Sequence, residues 1–228
     1  MNKIEMRNRR IKFITCEVIH DEVKDRIPEG WEVVKFEKRL HERSDGLREA
    51  LQKEIDDSQS FDLIVLGYGL CGKSAEGLVS KKAFMVIPRC DDCISLFLGS
   101  SDEYKKQIRK EPGSFYLTRG YIGDSENPML SNYSEYMGKY DEETLDWLIR
   151  EMLKNYKRMV YINTGNYPPE QWRNIAMEQA EKLKLDFEEI EGTDQYFKKL
   201  LGGRWDGEFV IVKPGEKVKF EMFLDQKG

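Results

Sequence analysis

The chain has 228 residues, 39% of them hydrophobic and 35% charged, and a formal net charge of −5. This length allows one large domain or two small ones around a sizeable core. The negative charge argues against a broad phosphate-binding surface, so we expect no nucleic-acid partner. The sequence has no apolar signal-peptide core and no run near the roughly 20 apolar residues of a membrane span. We therefore expect a cytoplasmic protein with no membrane partner.

The first half of the sequence alternates strand patterns with helical patterns. Strands are predicted at 11–16, 31–36, 61–66, 83–87 and 114–122. A short helix is expected at 17–27, and a longer one from Ser44, as its N-cap, to about Ile55. Further helical patterns cover 93–99 and 101–110. Residues 123–139 are rich in Gly, Ser and Asn, which indicates a loop or crossover.

The second half repeats this alternation. Helices are predicted at 141–155, 168–183 and 193–201, and strands at 158–162, 187–190 and 208–212. Strands that alternate with covering helices are typical of an α/β fold with a parallel, Rossmann-like sheet. We expect two closely apposed α/β halves, residues 1–122 and 123–228, or one continuous sheet built from both halves.

The four cysteines follow the ends of separate predicted strands, and in a parallel sheet such ends meet at one edge, where ligands bind. Cys16 ends the first strand, Cys71 follows the strand at 61–66, and Cys90 and Cys93 follow the strand at 83–87. Thiolates suit zinc or an iron–sulfur cluster, so we predict a metal site at these four residues. A reactive thiol and inert buried thiols remain open alternatives. The aspartates inside Cys-Asp-Asp-Cys disfavour thiol redox catalysis.

Residues 67–74 fit the phosphate-binding pattern GxxxxGK[ST] directly after an apolar strand. That pattern needs a helix from Lys73, whereas the next predicted strand begins by about Ala83. We therefore interpret the match as accidental, although a nucleotide-binding enzyme remains a third possibility. The glycines in this turn would still let a ligand approach the backbone closely, and are predicted to bind a cofactor: Gly67, Gly69 and Gly72.

Several motifs in the chain resemble those of the DUF1638 family. They are Cys16-Glu-Val, Leu66-Gly-Tyr-Gly-Leu-Cys-Gly72, Ile87-Pro-Arg with Asp92-Cys93-Ile94 and Gly99, Pro112-Gly-Ser-Phe-Tyr116, Asn163-Thr-Gly165 and Leu201-Gly-Gly-Arg-Trp-Asp206. The resemblance covers roughly residues 11–215. Proteins of this family are met in methanogens and other anaerobes, often beside corrinoid-dependent methyltransferase genes.

The resemblance implies a role in one-carbon or corrinoid metabolism, with a small molecule or a corrinoid methyltransferase system as partner. It implies cysteines at the positions of Cys16, Cys71 and Cys93. The chain departs from the family pattern at Asp91, where histidine is usual, so Cys90 would take over that ligand role. It also departs at Lys73, since the family pattern lacks a lysine there.

Other residues near predicted strand ends are candidates for the same site. Arg89 would bind an anionic ligand or pair with Asp92. Asn163, Thr164 and Gly165 follow the strand at 158–162 and are predicted to form an opposing, cofactor-binding wall. The tyrosines and arginine near the end of the strand at 114–122 would line the same cleft or pack in the core: Tyr116, Arg119 and Tyr121.

The chain contains two histidines. His20 follows Cys16 by one helical turn, so it could approach the cysteines, although such a residue more often faces solvent. His41 lies in a charged run and is predicted to be on the surface. A metal site would therefore depend chiefly on thiolates.

The leading hypothesis is a metal- or iron–sulfur-binding α/β protein of one-carbon or corrinoid methyl transfer. A corrinoid or another small molecule is a further candidate ligand. The alternative is a non-catalytic protein that binds a cofactor or a methyltransferase. The sequence leaves open whether the protein is an enzyme.

Overall fold

A computed structural model describes residues 6–42, 44–122 and 139–224. Its strands are β1 (Ile11–Cys16), β2 (Glu32–Phe36), β3 (Leu63–Gly67), β4 (Phe84–Pro88), β5 (Ser114–Leu117), β6 (Arg158–Asn163), β7 (Asp186–Glu191) and β8 (Phe209–Val212). Its α-helices are α1 (Glu17–Val23), α2 (Ser44–Asp57), α3 (Ile94–Leu98), α4 (Ser101–Lys110), α5 (Arg119–Ile122), α6 (Glu142–Leu153), α7 (Pro169–Lys182) and α8 (Gln195–Leu201). Short 3-10 helices cover Lys24–Arg26, Lys38–Glu42 and Phe220–Phe223.

The chain forms two compact units, and the first is made from two separate stretches of sequence. Met1–Ser101 and Asp194–Gly228 form the first unit, and Asp102–Thr193 form the second. The predicted division at residue 122 differs from this one. The difference arises because the chain returns to the first unit after residue 193 and adds β8 to its sheet.

The first unit is built on a five-stranded sheet with the order β2-β1-β3-β4-β8. Strands β1 to β4 pair in parallel, whereas β8 runs antiparallel to β4. Every residue of β1 and β3 is buried, as expected for central strands covered on both faces. Helix α2 contributes an apolar stripe of three buried residues at a spacing of four: Leu47, Leu51 and Ile55.

The second unit is built on a three-stranded parallel sheet with the order β5-β6-β7. Its core includes Leu117, Ile122, Leu153, Met159, Tyr161, Ala176, Ala180 and Leu183. Local sequence signals fix two of its helix starts. The Asp141 carboxylate accepts a 2.9 Å hydrogen bond from the Thr144 amide at the start of α6. Pro169 is the first residue of α7, where its missing amide hydrogen costs nothing.

The predicted α/β class with parallel-dominated, Rossmann-like sheets is confirmed, whereas one of the two predicted sheet arrangements and one local prediction are wrong. The described strands form two separate sheets and not one continuous sheet. The strand predicted at 114–122 ends at Leu117, and the residues from Arg119 form the short helix α5. This turn occurs because the Thr118 carbonyl accepts the amides of Tyr121 and Ile122, which places Ile122 in the core of the second unit.

The predicted loop at 123–139 lies outside the described residues except for Lys139. No helix in the described ranges is both long enough and apolar enough to cross a membrane.

Candidate functional site

The first sheet contains a topological switch point between β1 and β3. The chain passes from β1 outward to β2 and then returns past β1 to β3, so the strand order reverses there. Open α/β sheets bind ligands outside the carboxyl ends of the strands at such a point. Cys16 is the last residue of β1 and Tyr68 directly follows β3, so these two residues flank the switch point.

Two backbone hydrogen bonds join the turn after β3 to the segment after β4. The amide of Leu70 donates to the Cys90 carbonyl, and the amide of Cys71 donates to the Asp91 carbonyl, both at 2.8 Å. Gly69 is required for this close approach. A Cβ atom at Gly69 would lie 2.6 Å from the Cys90 carbonyl oxygen and 2.7 Å from the Cys90 sulfur. The backbone thus brings cysteines of two strands to one place.

The turn that resembles a phosphate-binding loop has a different structure. Residues 71–77 form turns and not the helix that a phosphate-binding loop requires. Cys71, Gly72 and Lys73 have φ values of +45°, +62° and +71°, a left-handed conformation that is strained for the two side-chain-bearing residues. The Lys73 ammonium lies 5.5 Å from the centre of the Phe220 ring, and the Ser74 hydroxyl donates to the Cys71 carbonyl. Both side chains therefore already have partners within the first unit.

The four cysteines are reduced, and their sulfurs lie in a low-dielectric environment. Cys16, Cys90 and Cys93 are buried, and Cys71 is partly exposed. Burial raises the pKa of the Cys16 thiol to about 11, although the amides of Ile19 and Val18 act in the opposite direction. Burial also raises the pKa values of Cys71 and Cys90, and the neighbouring cysteines raise them further. Without a compensating cation, these three thiols stay protonated at neutral pH.

Three of the thiols influence one buried tyrosine. Tyr68 is 1% exposed, and its hydroxyl has no hydrogen-bond partner among the described residues. Burial raises the pKa of Tyr68, and the next contributions come from three cysteines: Cys16, Cys71 and Cys93. Native proteins leave few buried hydroxyls unpaired, and those few mark strain, a function or a bound water or ion.

Cys90 has different neighbours from the other three cysteines. Its sulfur packs on the backbone of Gly69, and burial together with the nearby Cys90 raises the pKa of Tyr196. Tyr196 is buried and donates a 2.5 Å hydrogen bond to the Glu208 carbonyl, next to β8. Cys90 thus lies between the turn after β3 and helix α8. Its predicted role as a metal ligand stays a prediction.

The side-chain positions do not form a ready metal site. Within residues 6–42, 44–122 and 139–224, no group of three or more His, Cys, Asp or Glu side chains could hold a metal ion. A site built from the cysteines would therefore require at least a change of side-chain rotamer.

His41, predicted to lie on the surface, is half-buried. Its ring stacks on Tyr68, with ring centres 5.6 Å apart and an angle of 23° between the planes. Its Nε2 atom is buried and has no hydrogen-bond partner in the described part of the chain. Burial lowers the pKa of His41 below its usual value, so the imidazole is neutral at pH 7.

His20, the other histidine, has a charged neighbour. Its Nδ1 atom lies 3.5 Å from the carboxylate of Asp21, so the two pair when the imidazole is protonated. A quarter of the His20 side chain is exposed. The structure thus gives Asp21 as a charged neighbour of His20.

The remaining predicted site residues of the first unit have structural contacts. A Cβ atom at Gly67 would lie 2.7 Å from the Thr15 Cβ atom, so glycine lets β3 pass the Thr15 side chain. The Arg89 guanidinium donates to backbone carbonyls and does not pair with Asp92. Its acceptors are the carbonyl oxygens of Gly207, Phe209 and Met222. Arg89 thereby joins the end of β4 to the C-terminal segment.

The second predicted wall lies in the second unit, at the carboxyl end of β6. The Asn163 side chain accepts a 3.0 Å hydrogen bond from the Gly165 amide and donates one of 3.0 Å to Glu189. Thr164, between Asn163 and Gly165 in the sequence, is partly exposed. Tyr116, Arg119 and Tyr121 also belong to this unit, where Arg119 lies over the rings of Tyr167 and Trp172. Ligand binding by these residues stays a prediction.

Sequence reasoning missed Tyr68 and His41 as candidate site residues. A usable signal was present, because the rule that predicted the cysteines also applies to β2. His41 follows β2 by five residues, and Tyr68 is the first residue after β3. Any residue at such a position is a candidate for the carboxyl edge.

Comparison with curated proteins and with solved structures found no match. One family model matches residues 36–201, a range that contains Cys71, Cys90 and Cys93 but not Cys16. The matched range covers most of the chain and confirms the family suggested by the sequence motifs. The chain therefore belongs to the family described as Protein of unknown function (DUF1638).

Proposed function

We propose that the first unit binds a thiolate-preferring metal, either zinc or an iron–sulfur cluster, at the carboxyl edge of its sheet. The observation that carries this proposal is that three cysteines end or follow the neighbouring parallel strands β1, β3 and β4, next to the switch point. These are Cys16, Cys71 and Cys93. Cys90 is the fourth candidate ligand and lies beside Cys71 and Cys93.

The thiols fit a cation better than any neutral ligand. Their raised pKa values mean that a lone thiolate is unfavourable in this environment. A divalent metal would supply the missing positive charge, and its binding would release the thiol protons. When bound, zinc would supply Lewis-acid or thiol-activating chemistry, and a cluster would supply electron transfer. The protein itself would hold the metal centre and exclude water from it.

We also propose a location in the cytoplasm, where cysteines that form no disulfide are usual. We extend the proposal to a step of one-carbon or corrinoid methyl transfer, with a small molecule or a corrinoid methyltransferase system as partner. This extension rests on the gene neighbourhood that the family resemblance implies.

The test is elemental analysis and an absorption spectrum of the full chain purified without oxygen. Zinc near one per chain would indicate a mononuclear site, whereas iron with sulfide and a band near ~400 nm would indicate a cluster. Cys71→Ser and Cys93→Ser should each remove the metal. Ser58→Ala is the matched control, because Ser58 is fully buried but precedes β3 at the opposite edge of the sheet.

Absence of metal in protein prepared with and without added zinc or iron would overturn the proposal. So would variants of Cys71 and Cys93 that keep the full metal content. Loss of metal from the Ser58 variant as well would mean that any buried substitution in this unit disturbs the site.

The second candidate function is a non-catalytic protein that binds a cofactor or a methyltransferase. It is favoured by the protonated state of the thiols and by the absence, in the described residues, of a ready ligand group. This candidate predicts no metal in the wild-type protein and normal folding of both cysteine variants. A phosphate-binding function has no such support, because residues 71–77 form no helix.

A further inference from the structure

We infer that a cavity in the second unit binds a small organic anion with an apolar body. The volume of this cavity is about 450 Å³, which is within the usual range of small-molecule sites. All of its lining residues belong to the second unit, whereas the cysteines belong to the first. The inference therefore goes beyond the proposed metal site and does not depend on it.

The cavity lies where two helices end, at the amino edge of the three-stranded sheet. Helix α6 ends at Leu153 and leads to β6, and α7 ends at Lys182 and leads to β7. Ligands of α/β proteins more often bind at the opposite, carboxyl edge. The cavity is thus separate from the strand ends where the candidate residues of both units lie.

The floor of the cavity is apolar and continuous with the core of the second unit. Leu153 and Leu183 belong to that core, and Ile149, Tyr156 and Leu185 pack against it. The last three side chains are only partly buried, so they present apolar surface to the cavity. Removal of this surface from water by an apolar ligand is favourable. The floor therefore fits the body of the ligand.

The rim of the cavity is strongly positive, although the whole chain has a net charge of −5. The charged lining residues are four cations and one carboxylate: Arg150, Lys154, Lys182, Lys184 and Asp146. Lys154 pairs with Glu151, whereas the other three cations have no ion-pair partner in the described part of the chain. This excess of positive charge favours an anionic head group.

A smaller cavity in the first unit shows how cations at such a place can be neutralised within the chain. Its volume is about 250 Å³, and its lining includes Arg26 and Lys198. Both cations pair with the Asp194 carboxylate, at 2.8 and 2.9 Å. Because the positive charge of this cavity is already balanced, the cavity of the second unit is the better site for an anion.

Lys184 gives the most specific indication of a ligand. It lies just past α7 with a φ of +56°, a left-handed conformation that glycine usually provides at this position. The amides of Lys184 and Leu185 donate to the carbonyls of Glu181 and Ala180, at 3.1 and 2.9 Å, as is typical of a helix that ends in this way. A lysine here carries a conformational strain that glycine would avoid.

The helix dipole accounts for other cations of the rim but not for Lys184. Cations in the last turn of a helix interact favourably with its negative end, as Arg150 does in α6 and Lys182 in α7. This effect falls off within the last turn, and Lys184 lies beyond it. Strained residues cluster at ligand-binding sites, where the side chain has a function. We assign the Lys184 ammonium to the head group of the anion.

The test is a fluorescence titration of the full chain with anilinonaphthalene sulfonate, an anion with an apolar body. Lys184→Gly removes the ammonium and also the backbone strain. It should raise the urea midpoint of unfolding, because glycine suits a positive φ, and yet weaken binding of the probe. The expected loss is about 5-fold, the effect of one exposed ion pair. Arg150→Gln should cause a loss of similar size.

Two controls and one pair of competitors sharpen the test. Lys73→Gly makes the same change at another left-handed lysine, which lies in the first unit, and should leave binding of the probe unchanged. Lys198→Gln, in the smaller cavity, should also leave it unchanged. Octanoate should displace the probe, whereas octanol, which has the same chain length and no charge, should not do so at the same concentration.

Unchanged binding by Lys184→Gly and Arg150→Gln would overturn the inference. Weaker binding by Lys198→Gln alone would assign the anion to the first unit and overturn it as well. Equal displacement by octanol would show that the cavity does not recognise charge, with the same consequence. Arg150→Gln decides the question by itself if Lys184→Gly fails to fold. The metal content of the same samples tests the proposed function separately.

Discussion

The two sheets end in different ways at their carboxyl edges. In the first unit, the edge carries Tyr68 and His41, whose polar atoms are buried without partners in the described residues. In the second unit, Asn163 binds both Gly165 and Glu189, and Glu189 also accepts a 2.9 Å hydrogen bond from Arg173. These polar groups at the end of β6 satisfy one another, whereas the buried Thr118 hydroxyl, next to the end of β5, has no hydrogen-bond partner among the described residues.

This difference shows why a place at the carboxyl edge is not enough to identify a site. Both edges belong to parallel strands, where ligands of α/β proteins commonly bind. Buried hydrogen-bonding groups cost free energy when they lack a partner. A ligand that binds to such groups therefore stabilises the folded protein. Both edges keep such a group, because the buried Thr118 hydroxyl after β5 also has no hydrogen-bond partner among the described residues, but the cysteines lie at the first edge alone. The cysteines, and not the unpaired polar atoms, are therefore what distinguishes the first edge as the proposed site.

The largest effect is expected from adding one methyl group to the first edge. Gly69→Ala would place a Cβ atom 2.6 Å from the Cys90 carbonyl oxygen, so the turn after β3 must separate from the segment after β4. We expect a loss of about 3 kcal/mol in the free energy of unfolding, the upper range for overpacking, together with loss of bound metal. Urea unfolding and elemental analysis measure the two effects.

Gly165→Ala is the matched change at the second edge. A Cβ atom there meets nothing within 4 Å, so the cost is only that of a left-handed alanine at φ +73°, about 1 kcal/mol. If Gly69→Ala and Gly165→Ala lower the free energy of unfolding equally, the first edge is no more tightly packed than the second.

A smaller effect is expected from alkaline pH on the metal-free protein. The Cys16 thiol has a pKa of about 11 in the folded chain against 9.0 unfolded. Between these values the unfolded chain loses the proton first, so the free energy of unfolding falls as pH rises through this window. The slope is about 1.4 kcal/mol per pH unit for each such thiol. Denaturant titrations across the window measure it.

The Cys16→Ser variant is the control for this pH effect. Its slope should be shallower by the contribution of one thiol, and below pH 9 the two proteins should keep a constant difference. An identical pH dependence in both proteins would contradict the raised pKa of Cys16.

The smallest effect is expected from removing the unpaired hydroxyl. In the metal-free protein, Tyr68→Phe removes a buried group without a partner, so the free energy of unfolding should stay the same or rise by about 0.5 kcal/mol. Tyr196→Phe removes a hydroxyl that donates to the Glu208 carbonyl and should cost about 1 kcal/mol. The carbonyl still accepts the Arg89 amide, which limits that cost. A comparable loss in both variants, measured in urea, would show that Tyr68 has a hydrogen-bond partner in solution.

The sequence predicted most of the strands because their residues are apolar runs that end at recognisable breakers. Strand β4 stops at Pro88, and β3 is followed by a glycine-rich turn. These apolar patterns wrongly predicted a strand at residues 119–122. The single helical turn there is too short to show a helical periodicity of its own. The pairing of β8 with β4 could not be predicted either, since strand patterns carry no information on distant partners.

The candidate site was predicted in part. The cysteines were found because thiols are rare and their spacing follows the strands, whereas His41 stands in a run of charged residues typical of a surface. Its burial depends on the Tyr68 ring, which approaches from another strand. No local pattern carries such a tertiary contact, so only the topology could reveal it.

The pairing of β4 with β8 has a consequence for the order in which the protein can be made. Pro88 leaves the ribosome 121 residues before its partner Phe209. At about 5–20 residues per second, the outer side of β4 waits roughly 6–24 s with unpaired backbone groups. Exposed strand edges of this kind attract other chains. Synthesis of the first unit thus begins before that of the second unit and ends after it. Until β8 is made, the exposed edge of β4 is a site that a chaperone would protect.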